Sequence, residues 1–363
     1  MNAGGDGRRE IRRIVVKLGT SSITGEDGAP NRSKIKKVTD QIADLATKGV
    51  QSVIVSSGAI AAGMQELALS RRPSDMPTLQ AAAAVGQRRL MDLYADLLGK
   101  KGITVGQVLL TQLDIVQRRH YLNARHTLDR LMELGCVPVV NENDTVGTEE
   151  IRYGDNDRLA ALVANIVRAD LLVMLSDVEG LYDSHPGKSG ASLLEVVNEI
   201  TPEIMRSARG MSSLGSGGMA TKLEAARMAT MSSVGVVIAS AARPHVLSDI
   251  QARRPVGTYF PAHASKIQSR KLWIAWAPSA RGRIQIDDGA VRALVTGKKS
   301  LLAAGVIGVA GTFAAGDAVE VTAADGRVVA KGLVGFDAEM LTEIAGTRAE
   351  REVIHRDQLV VLQ

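Results

Sequence analysis

A single cysteine, Cys136, stands in a chain of 363 residues. One thiol can form no internal disulfide and cannot build a Cys-rich metal site, which points to a reducing compartment. Cys136 itself sits in an apolar run and is expected in the core. Aromatic residues are scarce, at 3%, so the stacking platforms of single-strand nucleic-acid binders are missing. No apolar run approaches the ~18 residues of a membrane-crossing helix. The opening Met1-Asn-Ala-Gly-Gly-Asp-Gly-Arg-Arg-Glu-Ile-Arg-Arg13 has no apolar stretch of the kind a secretory signal needs. A cytoplasmic location is the expectation. The six histidines (His120, His126, His185, His245, His263 and His355) are scattered. They form no Ser/His/Asp pairing and no metal-ligand spacing, which argues against a hydrolytic triad and a transition-metal site.

What is plentiful is glycine, 36 residues or about one in ten against a usual ~7%. Tight turns and close backbone approaches are implied. Hydrophobic residues at 45% and charged residues at 23% exclude wholesale disorder. At roughly 150 residues per domain the length suggests two to three domains. Lys plus Arg minus Asp plus Glu is 44 − 39 = +5. That mild excess suits small anions as well as nucleic acid.

From residue 11 to about 260, short apolar runs alternate with helical periodicity. Ile14-Val15-Val16, Val53-Ile54-Val55, Val105 to Leu110, Val137 to Val140, Leu171 to Leu175 and Val234 to Ala239 read as buried strands. Ile35, Val38, Ile42 and Leu45 mark an amphipathic helix stopped by Gly49, and further helices are expected over 79–99, 118–134 and 156–168. Strands apolar on both faces and separated by helices predict an α/β fold with a parallel sheet covered on both sides. The pattern changes near Arg254 to Pro261. After about 268 the runs are short, β-rich and punctuated by glycine, as in a small barrel or sandwich.

Ligands of open α/β sheets bind outside the carboxyl ends of the strands, so the residues after each run matter. Lys17-Leu-Gly-Thr-Ser21 offers a lysine beside a buried strand, either a snorkelling turn residue or a phosphate partner. Ser56-Ser57-Gly58 opens a helix, where Ser57 is an N-cap or part of a carboxylate site. Asn141-Glu-Asn-Asp144 and Tyr153-Gly-Asp-Asn156-Asp157 suit turns and caps as well as a polar pocket. Ser176-Asp177 follows the fifth run. Gly215-Ser216-Gly217-Gly218-Met219-Ala220-Thr221-Lys222 precedes a helix; Thr221 replaces the glycine that a Walker A loop needs before its lysine. Flexible backbone donors, a helix start and a lysine still make it a phosphate-binding candidate.

Together these segments, with Gly58-Ala-Ile-Ala-Ala-Gly63 and Ala84-Val-Gly-Gln87, resemble the glutamate 5-kinase (γ-glutamyl kinase) branch of the amino acid kinase family. The match runs from about 13 to 260, and the tail resembles a PUA domain. The resemblance implies a three-layer α/β/α sandwich around a mainly parallel sheet, over 1–262, with a small PUA-like β-barrel over 268–363. It implies ATP at Lys17, Ser176, Asp177 and the loop Ser216, Gly217, Gly218, Met219, Ala220, Thr221 and Lys222. Serine stands at 176 and 216 where the family commonly has threonine. Glutamate falls to Ser57, Asp144 and Asn156, with Asp144 against its α-ammonium. Asp157 is the carboxylate that organises Lys17 and Lys222, the catalytic lysines. Mg²⁺ would enter with ATP, L-proline would act as feedback inhibitor, and the chain would form a tetramer or dimer. The stretch Ile344 to Arg356 is shorter than the family's PUA tail.

Aspartate and N-acetylglutamate kinases share this lysine and glycine machinery. Aspartate kinases more usually carry regulatory domains of βαββαβ type, and N-acetylglutamate has no α-ammonium for Asp144 to meet. RNA binding by the tail is a different class of reading. Its 12 Lys plus Arg against 11 Asp plus Glu over 267–363 are a poor footprint for RNA.

Overall fold

The structure, a computed structural model, describes residues 10–25, 28–111, 114–115, 117–146, 156–185, 190–210, 218–263, 280–349 and 351–362. The chain divides into two compact units, Met1–Lys266 and Ile267–Gln363.

In the first unit, β1 (Arg13–Leu18), β2 (Gln51–Ser56), β3 (Val105–Leu110), β4 (Val137–Glu142), β5 (Leu171–Ser176), β6 (Gly235–Ser240) and β7 (Thr258–Phe260) form one sheet. Its order is β3-β4-β2-β1-β5-β6-β7. Every pairing is parallel except β6 with β7. Sequence periodicity did not reveal β7, because three residues between Gly257 and Pro261 are too few to show alternation.

Helices α1 (Thr20–Ile23), α2 (Arg32–Thr47), α3 (Ala59–Glu66), α4 (Met76–Gly99), α5 (Arg118–Glu133), α6 (Asn156–Ile166), α7 (Pro202–Gly210), α8 (Met219–Met231) and α9 (Val246–Gln251) surround the sheet. Alternate strand residues serve the two faces. Ile14, Val16 and Leu18 join Val173 and Leu175 in a core built with α2, α4 and α9. The residues between them, Val15 and Lys17, turn the other way, and α6, packed on α8, contacts β1 on that side. Lys17 is thereby delivered to α6 by strand periodicity alone. The Asn31 side chain accepts a hydrogen bond from the Lys34 N–H and caps α2, whose Ile35, Val38, Ile42 and Leu45 are all buried.

Helices α3 and α4 touch backbone to backbone. A Cβ at Gly63 would overlap the carbonyl of Ala82, and one at Gly86 would overlap that of Ala59. Only glycine permits this approach, and it draws the polar side chain of Gln87 in towards the strand ends. Cys136, in the turn before β4, is half-buried instead of sitting in the core.

The second unit contains β8 (Gly282–Ile286), α10 (Asp288–Val295), β9 (Val306–Gly311), β10 (Ala318–Ala323), β11 (Val328–Leu333), α11 (Ala338–Ile344) and β12 (Leu359–Val361). Its sheet runs β12-β11-β10-β8-β9, with β8 and β10 parallel and the other neighbours antiparallel. The core gathers Ile284, Val319, Val321 and Leu341. The short stretch after Ile344 still completes that core: Val353 and Ile354 are fully buried, and Ile354 bridges to Leu301. The two α-helices among the described residues of this unit were hidden behind its frequent glycines.

Candidate active site

Five strand ends present polar groups at one edge of the first sheet, with β1 in the middle. Register places Lys17 beside Val55 of β2 and Met174 of β5, one residue before the serine that ends β2 and two before the serine that ends β5. The Lys17 ammonium does not snorkel. It is buried and lies 2.6 Å from Asp157 Oδ1. The other carboxylate oxygen meets Lys222 Nζ at 3.3 Å and accepts a hydrogen bond from the Thr221 hydroxyl at 3.1 Å. Side-chain exposures of 7%, 2% and 7% for Lys17, Asp157 and Lys222 put two positive charges and one negative charge out of water. Burial pushes the Asp157 carboxyl up, but the charges of Lys17 and Lys222 and the hydrogen bonds from Lys17 and Thr221 prevail, holding it below the usual carboxylate range. The group is one positive charge in excess, an arrangement that attracts an anion.

The segment around 215–222 does not simply precede a helix. Gly218 is the N-cap, and Met219 to Lys222 form the first turn of α8. Its N-cap residue, a glycine, offers no side chain to that start, and the first N–H groups of a helix lack intrahelical acceptors and point outward, the geometry that holds phosphates. Ser216 and Gly217 lie outside the described residues. On the next strand end Ser176 is buried and its hydroxyl donates to Asp177 at 2.9 Å, while Asp177 is exposed.

On the other side of β1, Ser57 is not an N-cap. Gly58 caps α3 with φ 88°, a left-handed conformation suited to glycine. The Ser57 hydroxyl is left to accept from Asn156 Nδ2 at 3.0 Å. The same amide nitrogen donates to the Ser56 carbonyl at 2.6 Å and to Asn141 Oδ1 at 2.9 Å. Asn141 Nδ2 in turn reaches Gln87 Oε1 at 2.8 Å. Asn156 Oδ1 is buried and has no hydrogen-bond partner among the described residues; an orphaned acceptor of this kind costs about 1–3 kcal/mol until a donor meets it. Asp144, beyond the end of β4, is half-buried. Its carboxyl is pushed up to about 6 by burial, against the opposing pull of the Arg72 charge.

The adjacent residues Asn156 and Asp157 at the start of α6 thus serve two groups: Asn156 the β2–β4 side, Asp157 the two lysines. Two participants escaped sequence reasoning. Asn141 and Gln87 stood inside quoted motifs without a role, although Gln87 is a polar residue on the apolar Ala83-Leu90-Tyr94 face of α4. Thr221, expected as a nucleotide contact, is bonded to Asp157.

Residues 12–240 match the amino acid kinase family, and residues 282–355 match the PUA domain. The chain is 48% identical to the glutamate 5-kinase of Streptomyces coelicolor, over 97% of both chains. It is 47% identical to the glutamate 5-kinase of Streptomyces avermitilis over the full length of both. Among solved structures, carbamate kinase from Giardia lamblia bound to AMP-PNP is similar with a TM-score of 0.51 and 16% identity, covering 69% of this chain and 99% of that one. That last likeness is one of fold.

Proposed function

This chain belongs to the amino acid kinase family and, within it, to the glutamate 5-kinases, and on that premise we propose how its residues carry the reaction. ATP donates its γ-phosphoryl group to the side-chain carboxylate of L-glutamate, giving L-glutamyl 5-phosphate, the first step of proline biosynthesis. The observation that carries the assignment of roles is the buried Lys17–Asp157–Lys222 group. The acceptor carboxylate, with an ordinary pKa near ~4.3, is already ionised at neutral pH and needs no general base. What the transfer requires is in-line placement and neutralisation of the charge on the phosphoryl oxygens. Asp157 holds the two ammonium groups in place, and they meet the charge that develops on the transferring group. The start of α8 at Gly218 to Lys222, together with Ser176 and Asp177, holds the nucleotide. Ser216 and Gly217 are assigned to nucleotide binding as well.

Ser57, Asp144 and Asn156 form the amino-acid pocket. Asp144 pairs with the α-ammonium, and Asn156 Oδ1 offers a second acceptor. Among the described residues no three His, Cys, Asp or Glu side chains gather in a metal-binding group. A magnesium ion would arrive on the nucleotide phosphates. When bound it would add positive charge at the phosphates. L-Proline keeps the carboxylate and ammonium that the pocket reads, so it competes there. Saturating proline should raise the KM for glutamate, and an unchanged glutamate saturation curve would refute this.

Residues 1–262 form the kinase domain in this reading and 268–363 a PUA-like domain, in a homo-oligomeric cytoplasmic enzyme, a tetramer or dimer. No helix among the described residues is long and apolar enough to cross a membrane. The decisive test traps acyl phosphate with hydroxylamine in the presence of ATP, Mg²⁺ and a panel of acids. Glutamate should give product. Product from aspartate or N-acetylglutamate in its absence would overturn the substrate assignment.

A further inference from the structure

We propose that Gln87 is a positioning residue for the amino-acid acceptor, the anchor of a buried run of amides that sets Asn156 and Ser57. The proposal rests on the reading that Ser57 and Asn156 bind glutamate. The run is Gln87 Oε1, Asn141, Asn156 and Ser57, with donor–acceptor distances of 2.8, 2.9 and 3.0 Å. It crosses from α4 through the end of β4 and the start of α6 to the end of β2.

Each asparagine has only one workable orientation, because it meets a backbone group with a single role. The Glu142 N–H can only donate, and it bonds Asn141 Oδ1 at 2.9 Å. Asn141 must therefore turn Nδ2 towards Gln87, which must answer with its carbonyl oxygen. The Ser56 carbonyl can only accept, so Asn156 faces it with Nδ2 and turns Oδ1 away. That oxygen has no hydrogen-bond partner among the described residues. The orientation sets an acceptor aside for a donor on a ligand, as an α-ammonium would supply.

Gln87, Asn141 and Asn156 are all at least nine-tenths buried. Without the Gln87 oxygen, the Asn141 NH₂ would face no acceptor in a site closed to water. Asn141 would turn to find one and release Asn156. The neighbour of Gln87, Gly86, lets α4 lie directly against the backbone of α3.

Three variants of the full-length enzyme test this. Gln87→Met keeps the volume and removes the acceptor; Gln87→Asn keeps the amide but is one methylene short and leaves a fold-sparing gap. Gln87→Glu keeps an oxygen where Asn141 needs it. The first two should raise the KM for glutamate roughly tenfold or more, with KM for ATP and kcat unchanged. Gln87→Glu should stay near the parent enzyme. Three results overturn the proposal: an unaltered glutamate KM in either folded variant, parallel rises in both KM values, or a Gln87→Glu enzyme no better than Gln87→Met. Failure of the underlying reading looks different, since Ser57→Ala and Asn156→Ala would then leave the KM for glutamate unchanged.

Discussion

Asp144 and Asp157 are thirteen positions apart, and their surroundings push their acidities in opposite directions. Asp157, buried deeper, is lowered because two lysines outweigh its desolvation; Asp144 has only the Arg72 charge to set against burial and rises to about 6. An Asp144 that must be charged to hold an ammonium loses that ability as the pH falls through about 6. KM for glutamate should therefore climb about tenfold between pH 7 and pH 5, before the substrate's own side chain protonates near ~4.3. Asp144→Asn should raise that KM roughly 10- to 150-fold, the worth of a charge-assisted hydrogen bond, and flatten the pH dependence. KM for ATP should not move. Stability has the reverse sign. The folded-state value lies above the ordinary 3.8, so the cost of burying the charge is absent below that pH, grows up to about 6 and is complete above it. At most about 3 kcal/mol is at stake, and Asp144→Asn should melt higher than the parent at pH 7 but not at pH 3.5. On the donor side, Lys222→Ala and Lys17→Ala should each lower kcat by roughly 10²–10³. A variant with intact kcat and only a raised KM for ATP would make its lysine a nucleotide-binding group.

Helices α3 and α4 place the acceptor side of the site through their two glycines. Gly86→Ala sets a methyl group against the Ala59 carbonyl, and Gly63→Ala does the same at Ala82. Either must drive the helices apart, and the backbone cannot yield as a flexible side chain would. A loss of roughly 1–3 kcal/mol or more is expected, read as a lower melting temperature. KM for glutamate should rise with it, since Ser57 and Gln87 move with these helices. Gly99→Ala is the control: it is the last residue of α4, has open space around it and no left-handed backbone. That change should be neutral or stabilise by about 0.5–1 kcal/mol. Equal melting temperatures for Gly86→Ala and Gly99→Ala would show that the contact is not tight.

The two units keep separate cores, one built from Ile14 to Val256 and the other from Ile284 to Leu359. Every residue assigned to the reaction lies in the first. A fragment ending at Lys266 should therefore fold and phosphorylate glutamate without the second unit. It retains the hydrogen bond from the His263 N–H to the Thr230 carbonyl, which a fragment ending at 262 would lose. Circular dichroism together with the hydroxylamine assay measures this. A folded fragment without activity would mean that the second unit completes the site.

By itself the sequence determined the alternation of buried strands and helices over the first 260 residues, and the polar turn after each strand. Both follow from local rules, since burial on two faces removes polar residues from a strand and ligands gather where strands end. The motifs were specific enough to carry the family resemblance as well. What the tertiary structure decided was which turns meet. Lys17 and Lys222 share Asp157 because strand alternation turns Lys17 towards α6 and because α8 packs on α6. Neither fact is visible in the spacing of 17, 157 and 222. Ser57 looked like a cap until Gly58 took that place, and Gln87 looked like one more residue of an alanine-rich helix. Contacts across 50 to 200 positions depend on how layers pack, and a chain read along its length carries the periodicity of each layer but not the register between them.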